Sequence, residues 1–155
     1  MGEAMEVLAR GAAARRRAAS EHKPATPGAP RGFGLPSSSC LAGSLSARIV
    51  DALAPGADEP VIDTRWSDGF AGSALDGALR ARGVTSLVVT GTMTDIGVLA
   101  TVIGAFNREY RVTVVGDGVA TLGPEIQRAA LDIVARAYGR VVSSRQVIDT
   151  LSAWK

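Results

Sequence analysis

The sequence is poor in the residues that most often carry chemistry. It contains one cysteine, one histidine and only 5% aromatic residues in 155. A single thiol, Cys40, cannot form an internal disulfide or a cysteine-based zinc site, and His22 stands alone, so we predict neither a metal nor a cofactor. The few aromatic side chains argue against a stacking surface for bases.

Long apolar runs and a secretory signal are also missing. No apolar stretch is long enough to cross a bilayer, and the first residues carry acids and arginines in place of an apolar segment. The sequence therefore predicts a cytoplasmic protein with no membrane partner.

The basic character of the chain is confined to its first residues. Residues 1–35 hold six of the 17 basic side chains and three of the 15 acidic ones, which leaves 11 basic and 12 acidic groups for the rest. Because the remainder is close to neutral, the net charge of +2 gives no reason to predict binding of nucleic acid.

Composition divides the chain into two regions. Residues 1–36 are rich in Ala, Arg and Pro, and their three prolines and adjacent glycine exclude regular structure over 24–30. We expect 1–36 to be a flexible tail and 37–155 to form one domain. A basic arm for an acidic partner is the less favoured alternative for this tail.

From Ser37 onward, strand and helix patterns alternate. The spacing of apolar residues, the β-branched runs and the Pro or Gly residues that end helices predict four strands and five helices, the last of which closes the chain. The helices are predicted over Leu45–Leu53, Ser73–Arg82, Thr94–Tyr110, Gly123–Gly139 and Ser144–Leu151; the strands over Val61–Ile62, Leu87–Thr90, Val112–Val115 and Val141–Val142. Thr94 or Asp95 is predicted to cap the third helix. The apolar face of the fourth helix is predicted to be Ile126, Ala130, Ile133, Val134 and Ala137.

This alternation predicts an α/β fold with three layers, in which helices cover both faces of a mainly parallel sheet. Binding sites in such sheets lie beyond the carboxyl ends of the strands. The segment Thr90–Val98 (TGTMTDIGV) passes from a buried strand directly into a helix, whose free N–H groups suit a carbonyl or carboxylate. It matches neither the dinucleotide fingerprint nor a P-loop. A plain strand-to-helix turn is the equally weighted alternative.

A second loop, Arg65–Leu75 (RWSDGFAGSAL), offers a different set of groups. Arg65 can hold a carboxylate with two hydrogen bonds, and Trp66 and Phe70 can form the walls of a pocket. At least as favoured is the alternative in which Phe70 belongs to the core and Arg65 is solvated. Asp117 follows a strand, where a structural role in the turn is the favoured interpretation.

At these loops the chain resembles the isochorismatase-like superfamily, also called the cysteine hydrolases. The family pattern Leu-Val-Val-x-Gly-Val-x-Thr-x-x-Cys-Val-x-x-Thr is similar to Leu87–Thr101, and Ala-Phe-x-Gly-Thr-x-Leu is similar to Gly69–Leu75. Tyr110–Asp117 and Gly139–Ser144 match two further family motifs, so the resemblance covers about Ser37–Leu151. It implies a three-layer αβα hydrolase fold, shortened at its N-terminus, that forms homo-oligomers.

The resemblance fails at the catalytic positions. The family generally uses a cysteine nucleophile, a lysine and an aspartate; Gly97 stands at the cysteine position and Thr64 at the lysine position. The aspartate belongs to a first strand that we expect this chain to lack, and residues 1–36 contain no aspartate. Glycine at the cysteine position is similar to the branch that hydrolyses the vinyl ether of isochorismate.

These observations give one main hypothesis and several alternatives. The main hypothesis is a catalytically impaired hydrolase-fold protein that binds a small molecule or acts as a subunit of an assembly. The first alternative is an active hydrolase of a vinyl ether or amide without a thiol nucleophile, with Asp63, Asp68 or Asp95 as a substitute acid. A fragment of such an enzyme is another alternative.

The predicted ligand is a small carboxylate, amide or vinyl ether. The predicted ligand-binding residues are Thr64, Arg65, Trp66, Phe70, Met93, Thr94, Asp95, Ile96 and Gly97.

Overall fold

A four-stranded parallel sheet forms the centre of the molecule. The computed structural model describes residues 5–6, 48–49, 51–64 and 66–153. The strands, in their order across the sheet, are β1 (Met5–Glu6), β2 (Ser86–Thr92), β3 (Arg111–Ala120) and β4 (Arg140–Val142). Each neighbouring pair is parallel. This confirms the predicted α/β class with its parallel sheet.

Helices follow the strands in the alternating order that a parallel sheet requires. The α-helices are α1 (Leu75–Ala81), α2 (Leu99–Phe106), α3 (Pro124–Ile133) and α4 (Ser144–Ser152). A π-helical turn, Thr94–Val98, leads into α2, and a second one, Val134–Tyr138, extends α3. A 3-10 turn covers Asp51–Leu53.

The core lies where β2, β3, α1 and α2 meet. Branched aliphatic side chains suit strands that are covered on both faces, and several are completely or almost completely buried. They include Val102 and Val114 (0% exposed), Val134 (1%), Leu79 (2%) and Leu87 (3%). Phe70 packs on Tyr110 in this cluster, with ring centroids 5.7 Å apart.

The pairing of β2 with β3 is irregular near the carboxyl ends of the two strands. Val89 pairs with Val114, but Gly91 pairs with Val119, so the residues between them in β3 depart from the ladder. Asp117 lies in this departure. Its carboxylate accepts hydrogen bonds from the backbone N–H and the hydroxyl of Ser144, both at 2.7 Å, and so fixes the first residue of α4. The predicted structural role of Asp117 is confirmed.

Two predicted elements in the first part of the chain are wrong where the structure describes them. Val61–Ile62 is not a strand, and Val61 is 46% exposed, because no described strand pairs with it. The helix predicted over Leu45–Leu53 is absent at Arg48 and Ile49, and only the turn Asp51–Leu53 forms. Residues 45–47 and Val50 lie outside the described residues.

The expectation that the chain lacks a first strand is also wrong. Met5 pairs in parallel with Ser86, and Glu6 with Leu87, at the edge of the sheet next to β2. This strand contains two residues and no aspartate.

The predicted burial of α3 is partly wrong. Ala130 and Val134 are buried as predicted, but Ile126 is 42% exposed and Ile133 37% exposed, and Ala137 is exposed as well. Gln127 faces inward and makes two hydrogen bonds there, so the side of α3 that faces the core is not its most apolar side.

Candidate functional site

The candidate site is built on the turn that connects β2 to α2, at the carboxyl edge of the sheet. The Thr92–Met93 peptide bond is cis, and Met93 precedes the π-helical turn Thr94–Val98. Neither Thr94 nor Asp95 caps the helix with its side chain, in contrast to the prediction. The side chain of Thr94 instead contacts Gln127 in α3, and that of Asp95 contacts Thr121 between β3 and α3.

Thr94 connects the turn to α3. It is 1% exposed, and its hydroxyl donates a hydrogen bond of 2.6 Å to Oε1 of Gln127. Nε2 of Gln127 donates in turn to the carbonyl oxygen of Val119, at 3.0 Å. A buried hydroxyl and a half-buried amide thus satisfy each other and hold the ends of β2 and β3 in a fixed relation.

Asp95 makes the second connection. The hydroxyl of Thr121 donates a short hydrogen bond to Oδ1 of Asp95, whose side chain is half-buried. A carboxylate that accepts one hydrogen bond retains acceptor capacity on its other oxygen. Asp95 is therefore held in place and still able to accept a proton or a further hydrogen bond.

Gly97 leaves room for a β-carbon in the same turn. A β-carbon built on Gly97 would have the carbonyl oxygen of Thr92 as its nearest heavy atom, at 3.7 Å, and that of Ser67 at 3.9 Å. These are ordinary van der Waals distances, so the backbone leaves room for a side chain at this position. Both nearest atoms are hydrogen-bond acceptors, which suits a donor such as water or an amide N–H group.

The loop Trp66–Ser73 forms the other wall of this space and is fixed to α2 by Thr101. The hydroxyl of Thr101 accepts a hydrogen bond from the backbone N–H of Gly69 at 2.9 Å and donates one to the carbonyl oxygen of Ser67 at 3.3 Å. The position of the Ser67 carbonyl near Gly97 thus depends on a side chain one helical turn further along.

Asp68 explains why α2 contains a glycine. Oδ1 of Asp68 accepts a hydrogen bond of 2.8 Å from the backbone N–H of Phe70, and its carboxylate lies directly against Gly104. A β-carbon on Gly104 would lie 2.8 Å from Cγ of Asp68, which is closer than real contacts allow. The loop can approach the helix only because residue 104 has no side chain. Asp68 thus has a structural role, which makes it a weaker candidate for the substitute acid.

A shallow depression borders the site on the β3–α3 side. It has a volume of about 350 Å³ and is lined by Val119–Pro124 and Gln127. Since Gln127 contacts Thr94 and Thr121 contacts Asp95, the depression is continuous with the connections described above.

The predicted site residues fall into three groups. Thr94, Asp95 and Gly97 come together in the turn, with Met93 half-buried beside them and Ile96 39% exposed. Thr64 is buried (3% exposed), and no described residue forms a hydrogen bond with its hydroxyl. Trp66 is 64% exposed, Phe70 belongs to the core, and Arg65 lies outside the described residues.

Sequence reasoning missed four residues that position the turn and the loop. They are Thr101, Gly104, Thr121 and Gln127. One signal was present in the sequence, because Gln127 is a polar residue next to Ala130 and Val134 on the inner side of α3. Thr101 is the last threonine of the family pattern that resembles Leu87–Thr101, whereas Gly104 and Thr121 show no pattern that local sequence could reveal.

Apart from Asp117, the titratable groups with perturbed pKa values form a cluster away from the candidate site. The Tyr110 hydroxyl, which donates to Asp76 at 2.8 Å, lowers the pKa of Asp76, with Arg80 acting in the same direction. Burial raises the pKa of Tyr110. This cluster lies at the amino end of β3, at the opposite edge of the sheet from the candidate site. Its role is to fix α1 against the start of β3.

Two features are not found in the described part of the chain. Within it, no three His, Cys, Asp or Glu side chains come together in a way that could hold a metal ion. None of its helices is long and apolar enough to cross a membrane.

The fold, the strand-to-helix turn and the loop define an isochorismatase-like protein. A family model of the isochorismatase domain matches residues 9–146, and the chain belongs to this family. The match begins inside the predicted tail 1–36, whose boundary at residue 37 stays a prediction.

Relatives and solved structures agree with this assignment. The chain is 41% identical over 100 residues to ureidoacrylate amidohydrolase RutB of Methylobacterium radiotolerans. The aligned segment covers 64% of this chain and 39% of the relative. An isochorismatase-like hydrolase from Alkaliphilus metalliredigens superposes with a TM-score of 0.70 at 27% identity, over 76% of this chain and 62% of the other. N-carbamoylsarcosine amidase from Thermoplasma acidophilum superposes with a TM-score of 0.64 at 32% identity, over 70% and 61%. The chain spans about two fifths of the length of the RutB protein.

Proposed function

We propose that this protein hydrolyses a small, linear amide that carries a ureido or carbamoyl group and a carboxylate. The observation that carries the proposal is the 41% identity to a ureidoacrylate amidohydrolase over 100 residues. The N-carbamoylsarcosine amidase adds support, because the names of both enzymes denote a carbamoylated nitrogen on a small carboxylate. This proposal favours the alternative of an active hydrolase over the main hypothesis of an impaired one.

Without a cysteine at position 97, the attacking group in this proposal is water. The space beside Gly97 is bordered by the carbonyl oxygens of Thr92 and Ser67, and these oxygens suit a bound water or the N–H of the substrate. The N-terminus of the helical turn that begins at Thr94 presents a positive dipole end to a developing oxyanion.

Asp95 is the proposed general base. It takes a proton from the water as the oxygen attacks the carbonyl carbon, which gives a tetrahedral intermediate. The carbon–nitrogen bond then breaks, and the protonated Asp95 returns the proton to the leaving nitrogen. Thr121 fixes the carboxylate in position through its hydrogen bond. General base catalysis of this kind contributes about 10²–10⁴ in rate.

The test is the release of ammonia from a panel of N-carbamoyl carboxylates and ureido carboxylates by the full chain. We expect turnover by the wild type, and loss of about 10²–10⁴ in kcat in Asp95→Asn. Asp149→Asn is the matched control, because Asp149 lies on α4 in an exposed ion pair with Arg145. Turnover that survives Asp95→Asn unchanged would disprove the role of Asp95.

A second candidate is binding without turnover. It is favoured by the glycine and threonine that occupy the family's cysteine and lysine positions, Gly97 and Thr64. In that case calorimetric titration with the same compounds shows saturable binding, while no ammonia is released. Ligand binding would also raise Tm, by an amount that grows with the logarithm of the ratio of free ligand concentration to Kd.

A further inference from the structure

Two threonine side chains are almost completely buried, and they differ in how their hydroxyl groups are paired. Thr94 is 1% exposed, and its hydroxyl donates to Oε1 of Gln127 at 2.6 Å. Thr64 is 3% exposed, and among the residues that the structure describes none forms a hydrogen bond with its hydroxyl. A hydroxyl can donate one hydrogen bond and accept two. Thr64 therefore keeps this capacity inside the protein.

An unpaired hydroxyl at a buried position destabilises the folded protein. The large majority of buried polar side chains have a hydrogen-bond partner, because a hydroxyl that leaves water without one loses free energy. Valine has nearly the same shape as threonine and carries no such penalty, so packing alone does not account for a threonine at position 64. Natural proteins depart from the rules of stability in this way at functional sites.

Thr64 is close in the chain to the candidate site. It precedes Ser67 by three residues, a distance that the backbone can span with at most about 11 Å. The carbonyl oxygen of Ser67 borders the space beside Gly97, at 3.9 Å from the position of a β-carbon there. The hydroxyl of Thr101 holds this carbonyl in place. A small linear ligand that is bound beside Gly97 can therefore extend to Thr64.

The chemistry of the Thr64 hydroxyl favours a neutral amide group as its partner. A carbamoyl group has an NH₂ that donates and an oxygen that accepts, so it matches both capacities of a hydroxyl. A carboxylate only accepts, and burying its charge costs far more free energy than burying a neutral amide. Of the two ends of the proposed substrate, the carbamoyl end is the one that suits a buried hydroxyl.

We infer that Thr64 determines the specificity for the carbamoyl group, and that its hydroxyl accepts a hydrogen bond from the NH₂ of the bound ligand. The class of ligand in this inference rests on the proposed function, but the inference concerns binding and does not require turnover. A site that forms a hydrogen bond with a ligand group discriminates against an analogue without that group, because the buried partner is then left unpaired.

Calorimetric titration of the full chain with two ligands tests this inference. The ligands are N-carbamoylglycine and N-acetylglycine, in which a methyl group replaces the NH₂. We expect the wild type to bind N-carbamoylglycine about 2–10-fold more tightly, as one hydrogen bond allows, and Thr64→Val to bind both ligands equally. Thr64→Ser retains the hydroxyl and should retain the preference. Thr150→Val is the matched control, because the exposed hydroxyl of Thr150 on α4 bonds only within its own helix.

Thermal unfolding of the ligand-free proteins gives a second and independent readout. Thr64→Val should raise Tm by about 3–10 °C, because valine removes the unpaired hydroxyl and keeps the volume, whereas Thr150→Val should not raise it. A Tm of Thr64→Val at or below that of the wild type would mean that the hydroxyl is already paired, and would overturn the inference.

The binding data have two further outcomes that would overturn the inference. One is a wild type that shows no preference for the carbamoyl ligand, and the other is a preference that Thr64→Val retains. Failure of the proposed hydrolysis looks different, because the wild type would then release no ammonia although its preference disappears in Thr64→Val. That result would support the role of Thr64 in binding.

Discussion

Replacing Gly104 with alanine should destabilise the protein, although alanine is normally the better helix former. The new β-carbon would lie 2.8 Å from Cγ of Asp68. Asp68 cannot turn away without giving up its hydrogen bond to the backbone N–H of Phe70. The loop Trp66–Ser73 must therefore move or lose that bond.

The magnitude follows from three opposing effects. Overpacking costs about 1–3 kcal/mol, and loss of one hydrogen bond costs about 1 kcal/mol. Alanine in place of glycine within a helix returns about 1 kcal/mol. The net loss in the free energy of unfolding is about 1–3 kcal/mol, which lowers Tm by about 3–10 °C for a chain of this size.

Gly77→Ala provides a control with the opposite sign. Gly77 lies in α1, and a β-carbon there would meet nothing within 4 Å. This variant should be stabilised by roughly 0.5–1 kcal/mol. Thermal unfolding followed by circular dichroism compares both variants with the wild type. A Gly104→Ala protein as stable as the wild type would refute the argument. In an Asp68→Ala background the penalty at residue 104 should disappear, since the two sites are in contact.

Three further predictions concern the turn and the α4 terminus. Gly97→Ala should change the free energy of unfolding by less than about 1 kcal/mol, because the nearest atom is 3.7 Å away; urea unfolding that shows a larger loss would contradict this. Thr94→Val should cost about 1–3 kcal/mol by removing the donor to Oε1 of Gln127, whereas Thr94→Ser should retain most of the stability in the same assay. The hydrogen bonds from Ser144 lower the pKa of Asp117 below its usual 3.8. The stability that the Asp117 carboxylate contributes is therefore fully present above pH 3.8, and it is lost as the pH falls through the lower pKa of the folded state. A plot of Tm against pH should therefore be flatter at acid pH for Asp117→Asn, and an unchanged slope would rule out this contribution.

Local sequence predicts the central part of the fold well. The β-branched runs within β2 and β3 identify both strands, because such residues suit buried parallel strands. Pro124 and Gly139 mark the two ends of the α3 region for equally local reasons. Val61–Ile62 has the same composition as a short strand, but strand formation also needs a neighbour, and sequence does not show which segments become neighbours.

The interior of the site depends on contacts that are distant in sequence. Thr94 is paired with Gln127, 33 residues away, and Asp95 with Thr121, 26 residues away. Local sequence predicts a capping role for both residues, but their side chains form hydrogen bonds with residues that are distant in sequence. The same contact with Gln127 explains why α3 does not bury Ile126. The residues of the turn could be predicted as a site from the strand–helix junction; the residues that position them could not.

Ammonia release from ureido and N-carbamoyl carboxylates, measured for the wild type and Asp95→Asn at equal concentrations of folded protein, tests the central claim most directly. The account predicts turnover by the wild type and a rate about 10²–10⁴ lower for the variant, because the general base is lost. No ammonia from the folded wild-type chain with any of these compounds, or equal rates for the two proteins, would contradict it.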